Sequence, residues 1–295
     1  MEGETVAKLS ERLPHNAQGN FFVDSSCIDC DQCRQIAPSV FRAHADQSVV
    51  YHQPETPEET LRAEMALLAC PTASIGTVQK QDLNKAIAAF PEPLIENIYF
   101  CGFTAEESFG ASSYLIVRPA GNVLVDSPRF ATPLVRQLER MGGVRFMFLT
   151  HGDDIADHEK FHRHFDCERV MHEGDIGRRA VSIERRVNGR ETVQLADDLL
   201  VIPTPGHTRG HQVLLYREKF LFTGDHLWWN GEKGTLSASK SVCWYSWPEQ
   251  IRSMERLLEF RFERVLPGHG HRHHATSEEM HRALKQCIEW MKRAQ

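Results

Sequence analysis

Four apolar segments of this chain each lead into a residue that can ligate a metal. "VRFMFLT" is followed by His151, "LLVIPTPG" by His207, "KFLFTG" by Asp225 and "FERVLPG" by His269. Short apolar runs bounded by turn residues read as buried strands. In open α/β architectures, sites collect where strand ends converge. One such His would usually be structural. Four ligand-type residues delivered in the same way point to one shared centre, and so to strands brought side by side.

A second constraint lies upstream. "FFVDSSCIDCDQCRQIAPSVF" carries Cys27, Cys30 and Cys33, and "LLACPTASIG" carries Cys70 followed by Pro71. Two-residue gaps let a tight loop wrap three thiolates around one compact centre. Thr56-Pro57-Glu58-Glu59 reads as a capping box with Pro at the first helical position. Leu61, Met65 and Leu68 follow at helical spacing. The helix so predicted runs up to Cys70 and presents it to the loop.

A Cys₄ zinc site and a pair of disulfides are the alternatives for these cysteines. Zinc sites more often use two separated Cys pairs. Cys-x2-Cys-x2-Cys with a distant Cys-Pro is the bacterial-type [4Fe–4S] pattern. Residues 18–80 resemble a single-cluster ferredoxin through "FFVDSSC", "APSVF" and "ACP". The resemblance implies a cluster on Cys27, Cys30, Cys33 and Cys70 that transfers electrons. A cluster kept only to hold the fold is the alternative.

Composition narrows the partners. The 295 residues are 41% apolar and 25% charged, as in a soluble globular protein. The net charge of −6, without a long basic run, argues against nucleic acid. No apolar run approaches a membrane span, so no membrane partner is expected. The start, "MEGETVAKLSERLPH", is polar and does not read as a secretory signal. With clustered cysteines, that favours a reducing, cytoplasmic setting. Pro91 and Pro93 in "AFPEPLIENI" mark a boundary. A ferredoxin-like domain is expected over residues 18–90 and a larger domain over 94–295.

The larger domain carries "THGDDIADH", "PGHTRGH", "TGDHL" and "PGHG" in that order. This set resembles the metallo-β-lactamase superfamily over residues 95–275. The resemblance implies an α+β chain with an αββα sandwich and two metals at one edge. His207 would bind the first metal, Asp225 would bridge, and His269 would bind the second.

"THGDDIADH" departs from the family pattern His-x-His-x-Asp-His. His151 and the Asp157-His158 pair stand two residues too far apart, and Asp153 falls where the second His belongs. A bulge reconciles the two ends. His151 and Asp153 would serve the first metal, with Asp157 and His158 on the second. The extra residues add at most about 7 Å of extended chain. Asp154 is the rival of Asp153, which keeps a two-residue step from His151 and so the same face of an extended strand. The other alternative is loss of the first site, leaving Asp157, His158 and His269.

Two functions compete. A dinuclear centre of two divalent metals, zinc or iron, would lower the pKa of a water between them for hydrolysis of a small-molecule substrate. Asp157 would orient that nucleophile or carry its proton. The flavodiiron proteins of the same superfamily carry a Glu where this chain has Asp153, and use two irons to reduce oxygen or nitric oxide. With the ferredoxin-like part, that suggests a di-iron oxidoreductase served by a redox partner protein. Hydrolysis is favoured slightly. A redox sensor or electron relay without turnover is a third class, and an oligomer is compatible with each.

Other residues attract attention. His211 reads as facing the pocket or, at least equally, as a polar support for a ligand, and His226 as pointing away from the site. His271, His273 and His274 read as a solvated loop, and His162 and His164 as surface positions on a helix buried through Phe161 and Phe165. Trp228, Trp229, Trp244 and Trp247 surround a loop-like "NGEKGTLSASKS". They suit an aromatic cover over the metals or ordinary packing equally well.

Overall fold

A computed structural model describes residues 6–177 and 180–294. The first five residues of the polar N-terminal stretch and Gln295 lie outside the described residues. The chain forms two compact units. One runs to Asn122 and takes in Ser127–Val144; the other comprises Val123–Asp126 and the chain from Arg145 onward. The division does not fall at Pro91 and Pro93.

The first unit holds strands β1 (Phe21–Val23), β2 (Phe41–His44), β3 (Gln47–Val50), β4 (Ile75–Thr77), β5 (Glu92–Ile95), β6 (Ile98–Phe100) and β7 (Tyr114–Ile116). Its helices are α1 (Gln32–Ile36), α2 (Pro57–Ala69), α3 (Asn84–Ala88) and α4 (Thr132–Arg140). The capping box is present at α2. Thr56 Oγ1 accepts from Glu59 N at 3.1 Å, and Glu59 Oε2 accepts from Thr56 N at 3.1 Å. Pro57 opens the helix, where its missing N–H costs nothing. Ala63, Met65, Ala66 and Ala69 form the buried face, and Cys70 follows as the C-cap. β1 pairs antiparallel with β4, Val23 opposite Ile75, and β2 with β3 as a hairpin. The first pairing sets the start of the three-cysteine loop beside the residues that follow Cys70.

The second unit contains the parallel strands β8 (Val123–Val125), β9 (Phe146–Phe148), β10 (Glu168–His172) and β11 (Arg185–Val187). It continues with β12 (Val193–Ala196), β13 (Leu199–Pro203), β14 (Gln212–Tyr216), β15 (Phe220–Gly224), β16 (Trp228–Asn230), β17 (Thr235–Ser237), β18 (Arg264–Pro267) and β19 (His273–His274). Its helices are α5 (His158–Phe165), α6 (Trp247–Leu257) and α7 (Ser277–Arg293). One sheet has the order β12-β13-β14-β15-β18-β19. Its Ile202, Val213 and Leu221 pack with Ile251 and Met254 of α6 and with Leu284 and Ile288 of α7. Each such side chain contributes about 1.5–3 kcal/mol by leaving water.

The ligand-bearing segments are strands, as their composition requires. β9 runs out three residues before His151, and β15 ends immediately before Asp225. β15 and β18 pair in parallel with Gly224 beside Pro267, so Asp225 and His269 leave neighbouring strand ends. "NGEKGTLSASKS" is less loop-like than expected, because β16 and β17 pair as a hairpin across it. Among the described residues no helix is long and apolar enough to cross a membrane.

Candidate metal centre

His151, His207 and Asp225 bring ligand atoms within 4.8 Å of one another, and so do Asp154, Asp225 and His269. Asp225 belongs to both groups. Its Oδ2 lies 3.8 Å from His151 Nε2 and 3.9 Å from His207 Nε2, while its Oδ1 lies 2.7 Å from His269 Nδ1. Burial pushes this carboxyl up, but His269, His151 and His207 outweigh burial and hold it below the usual carboxylate range.

The donor set fits metal ions. His151 Nε2, His207 Nε2 and Asp154 Oδ2 are buried without a hydrogen-bond partner among the described residues. Buried polar atoms left unpaired cost about 1–3 kcal/mol each, and here they converge on one another. One divalent cation in each group would satisfy all of them. Burial lowers the His151 pKa to about 4, so its ring is neutral, as a ligand must be.

The tautomer of His151 is set from behind. Thr150 N and Thr150 Oγ1 both donate to Asp126 Oδ1, at 2.8 and 2.9 Å. With its one proton so used, Thr150 Oγ1 accepts from His151 Nδ1 at 2.9 Å. That leaves the Nε2 lone pair facing the centre. Burial pushes Asp126 up to about 7, against the pull of the Thr150 bonds.

Asp153 and Asp154 part company. Asp153 is 52% exposed and places Oδ2 3.4 Å from His207 Nε2 and 3.9 Å from His151 Nε2, so it faces the first group. Asp154, the rival read from sequence, is 1% exposed and joins the second group. Asp157 and His158 are not brought to either group. Asp157 Oδ1 lies 2.6 Å from Lys160 Nζ at the start of α5. His158 opens that helix, fully buried, with Nδ1 3.0 Å from Arg169 Nη1. The extra residues do not bulge out between two ligand pairs; they carry the chain from Asp154 into the helix.

In the first unit, the four thiols of Cys27, Cys30, Cys33 and Cys70 line one small cavity. Cys27 Sγ accepts from Ser48 N at 3.4 Å and Cys70 Sγ from Ser74 N at 3.2 Å. Bonds of this kind stabilise cluster thiolates and tune potential. Burial pushes the bare Cys30 thiol up to about 12, so a thiolate there needs a cationic partner such as cluster iron. All eight cysteines are free, which leaves no disulfide among them. Gly110 closes over the site: at φ +80°, any Cβ there would sit 2.7 Å from Cys30 Cβ. Gln32 Nε2 fixes that approach by donating to Gly110 O at 2.8 Å and Ser112 Oγ at 2.9 Å.

Residues 23–77 match the 4Fe-4S single cluster domain of Ferredoxin I. A Drosophila melanogaster protein described as Beta-lactamase-like protein 2 homolog is 34% identical over 70 residues, 24% of this chain. The match spans only 21% of that relative's length. Among solved structures, DIM-1 metallo-beta-lactamase superposes with a TM-score of 0.52 at 18% identity, covering 69% of this chain and 97% of its own. VMB-1 gives 0.53 at 17% identity, covering 69% and 96%. The chain carries the metallo-β-lactamase fold. A ferredoxin-like domain precedes it.

The metallo-β-lactamase fold also sorts the residues left ambiguous in the sequence. His211 is fully buried, bonds Thr204 Oγ1 through Nδ1 at 2.9 Å, and lies tilted with its ring 5.1 Å from that of His151. His226 is buried as well, its ring 5.1 Å from that of His211, so it lies behind the ligand rings. His273 does not float in a loop; it stacks on Trp229 at 3.5 Å. His162 bonds Cys167 O, and His164 is exposed. Phe161 is fully buried and Phe165 half-buried. Trp247 belongs to the core, whereas Trp244 is 65% exposed with its ring 6.4 Å from His207.

Two functional carboxylates escaped the sequence reading. Asp126 carries the same signal as the ligands, an acid just past the apolar run of "NVLVDSP". Asp175 carries none. Its carboxylate accepts from Gly152 N at 3.0 Å, from Gly210 N at 2.6 Å and from Thr208 Oγ1. It thereby ties the loop of His151 to the loop of His207. Gly210 is required at that junction, since a Cβ would meet Asp175 N at 2.4 Å.

Proposed function

We propose that this protein is a dinuclear metal-dependent hydrolase of a small-molecule substrate, with a [4Fe–4S] domain over residues 18–90 and the catalytic domain over 94–295. The observation that carries the reading is Asp225, which belongs to both ligand groups, 3.8 Å from His151 Nε2 on one side and 2.7 Å from His269 Nδ1 on the other. His151, His207 and Asp153 would complete the first site, and Asp154 and His269 the second. Two divalent ions held there, zinc or iron, would supply a water of lowered pKa and polarise the substrate oxygen.

The chain's own part is positioning and proton handling. Thr150 and Asp126 hold His151 in one tautomer. Asp175 keeps the loops of His151 and His207 in one register. Asp153, held below the usual carboxylate range by the His207 imidazole 3.4 Å away, is ionised and half exposed. With metals bound, Asp153 would carry the nucleophile's proton toward solvent, the role the sequence suggested for Asp157. A reducing, cytoplasmic setting is consistent with eight free cysteines.

A second reading is a di-iron oxidoreductase. It is favoured by the three carboxylates, Asp153, Asp154 and Asp225, around the centre, and by the cluster domain, because hydrolysis needs no electrons. Metal and acid-labile sulfide content of protein purified without oxygen separates the two. About four irons with two zincs, plus turnover of an ester, lactam or phosphodiester, supports the hydrolase. About six irons and four sulfides, with reduction of oxygen or nitric oxide and no hydrolytic turnover, supports the oxidoreductase. No metal beyond the cluster's iron refutes both.

A further inference from the structure

A polar cleft of about 660 Å³ opens on the second unit, lined by Arg186, Arg190, Arg209, His172 and Tyr245 together with the acidic Glu173. The arginines are far apart in sequence. Arg186 lies on β11, Arg190 just beyond it, and Arg209 two residues past His207. In a chain of net charge −6, this is a local concentration of positive charge.

The guanidiniums are only partly engaged. Arg186 Nη2 donates to Val181 O at 3.1 Å, and Arg190 Nη2 lies 2.8 Å from Glu249 Oε2. Each is thus held in place with N–H groups to spare. Arg209 is exposed and has no ion pair among the described residues. A guanidinium presents paired N–H donors that match the oxygens of a carboxylate or phosphate. Among the described residues Glu173 is the one carboxylate in the lining, and it leaves an excess of positive charge.

The cleft is lined by neighbours of residues at the metal centre. Pro205 and Arg209, both in the lining, flank His207. Tyr245 N donates to His207 O at 3.1 Å. Gly174 and Ile176, also in the lining, flank Asp175, which fixes the loops of His151 and His207. A molecule seated in the cleft touches residues that adjoin His207 and Asp175 in the chain.

We infer that this cleft binds the oxyanion end, a carboxylate or phosphate, of the substrate whose reacting group is processed at the metal centre. The second half of that statement rests on the proposed hydrolase; oxyanion binding itself does not. The substrate class is therefore a small anionic ester, amide or phosphodiester, with its charge set apart from the bond that is cleaved.

The test is calorimetric titration of the full chain with inorganic phosphate and, separately, with succinate. It is run on metal-loaded protein, on protein stripped by chelation, and on the variants Arg209→Gln and Arg186→Gln/Arg209→Gln. Saturable binding of at least one probe is expected with and without metals. The double variant should bind about tenfold more weakly or worse, with metal content and thermal midpoint unchanged. Preference for succinate or phosphate identifies which oxyanion the substrate carries. Equal affinity in the variants overturns the inference, as does binding seen only with metals present, or no binding of either probe. Arginine-dependent binding in a chain that takes up no metals at the two ligand groups keeps the cleft and removes the hydrolase. Metal uptake with arginine-independent binding does the reverse.

Discussion

Arg169 Nη1 stands 3.0 Å from His158 Nδ1, and both residues are buried. Arginine has only protons to give, so the imidazole accepts at Nδ1 and that nitrogen is already used. His158 is thus tied to Arg169 at the start of α5, and among the described residues it is Asp154 that joins Asp225 and His269 in the second ligand group.

Asp154→Asn should remove about one metal per chain, because the second group keeps only Asp225 and His269. Asp157→Ala should keep both metals, since its carboxylate lies against Lys160. Metal analysis of the two purified variants decides this. Loss of a metal in Asp157→Ala, with Asp154→Asn intact, would restore the bulged arrangement.

Thr150→Val removes the hydroxyl between Asp126 and His151 while keeping the side chain's shape. Metal affinity should fall about 10–100-fold, as when an orienting partner of a ligating His is lost. Competition against a chromophoric chelator gives the value, and circular dichroism should be unchanged.

Glu184 accepts from Arg169 N at 3.0 Å, from Arg169 Nε at 2.9 Å and from Arg169 Nη2 at 2.6 Å. Partial burial opposes its ionisation, yet these bonds lower its pKa from 4.5 to about 2. A carboxylate depressed on folding contributes its stability in full above the unfolded value of 4.5 and loses it as pH falls toward 2. Glu184→Gln should therefore cost about 2 kcal/mol near neutral pH and much less near the bottom of that window. Urea unfolding of both proteins across that range provides the comparison, and a pH-independent difference would contradict it.

Gly110→Ala places a methyl against Cys30 Cβ and forces φ +80° on a residue that avoids it. Cluster content should drop, or the potential should shift in the protein that retains its iron. Anaerobic iron and sulfide analysis with a redox titration reads both, and an unaltered cluster would show that the loop yields freely.

The sequence disclosed what local rules govern. Thr56, Pro57 and Glu59 announce the start of α2, and the strands before His151, Asp225 and His269 announce themselves by composition. The four cysteines need only their spacing. What stayed hidden depends on direction. Asp153 and Asp154 are adjacent and chemically identical, and which one is buried is decided by a turn that follows a strand, where alternation no longer applies. Asp175 gave no signal because its partners, Gly152, Thr208 and Gly210, offer mostly backbone N–H groups, which every sequence has. Arg186, Arg190 and Arg209 look like scattered surface charge until the fold gathers them.

Asp175 has a mechanical consequence. One carboxylate clamps Gly152, Thr208 and Gly210, so the His151 and His207 loops cannot be displaced independently. A push on the arginine-lined side is transmitted to both histidines through the same fastening. The pair behaves as one lever with a single pin, and whatever loosens that pin loosens two ligands at once.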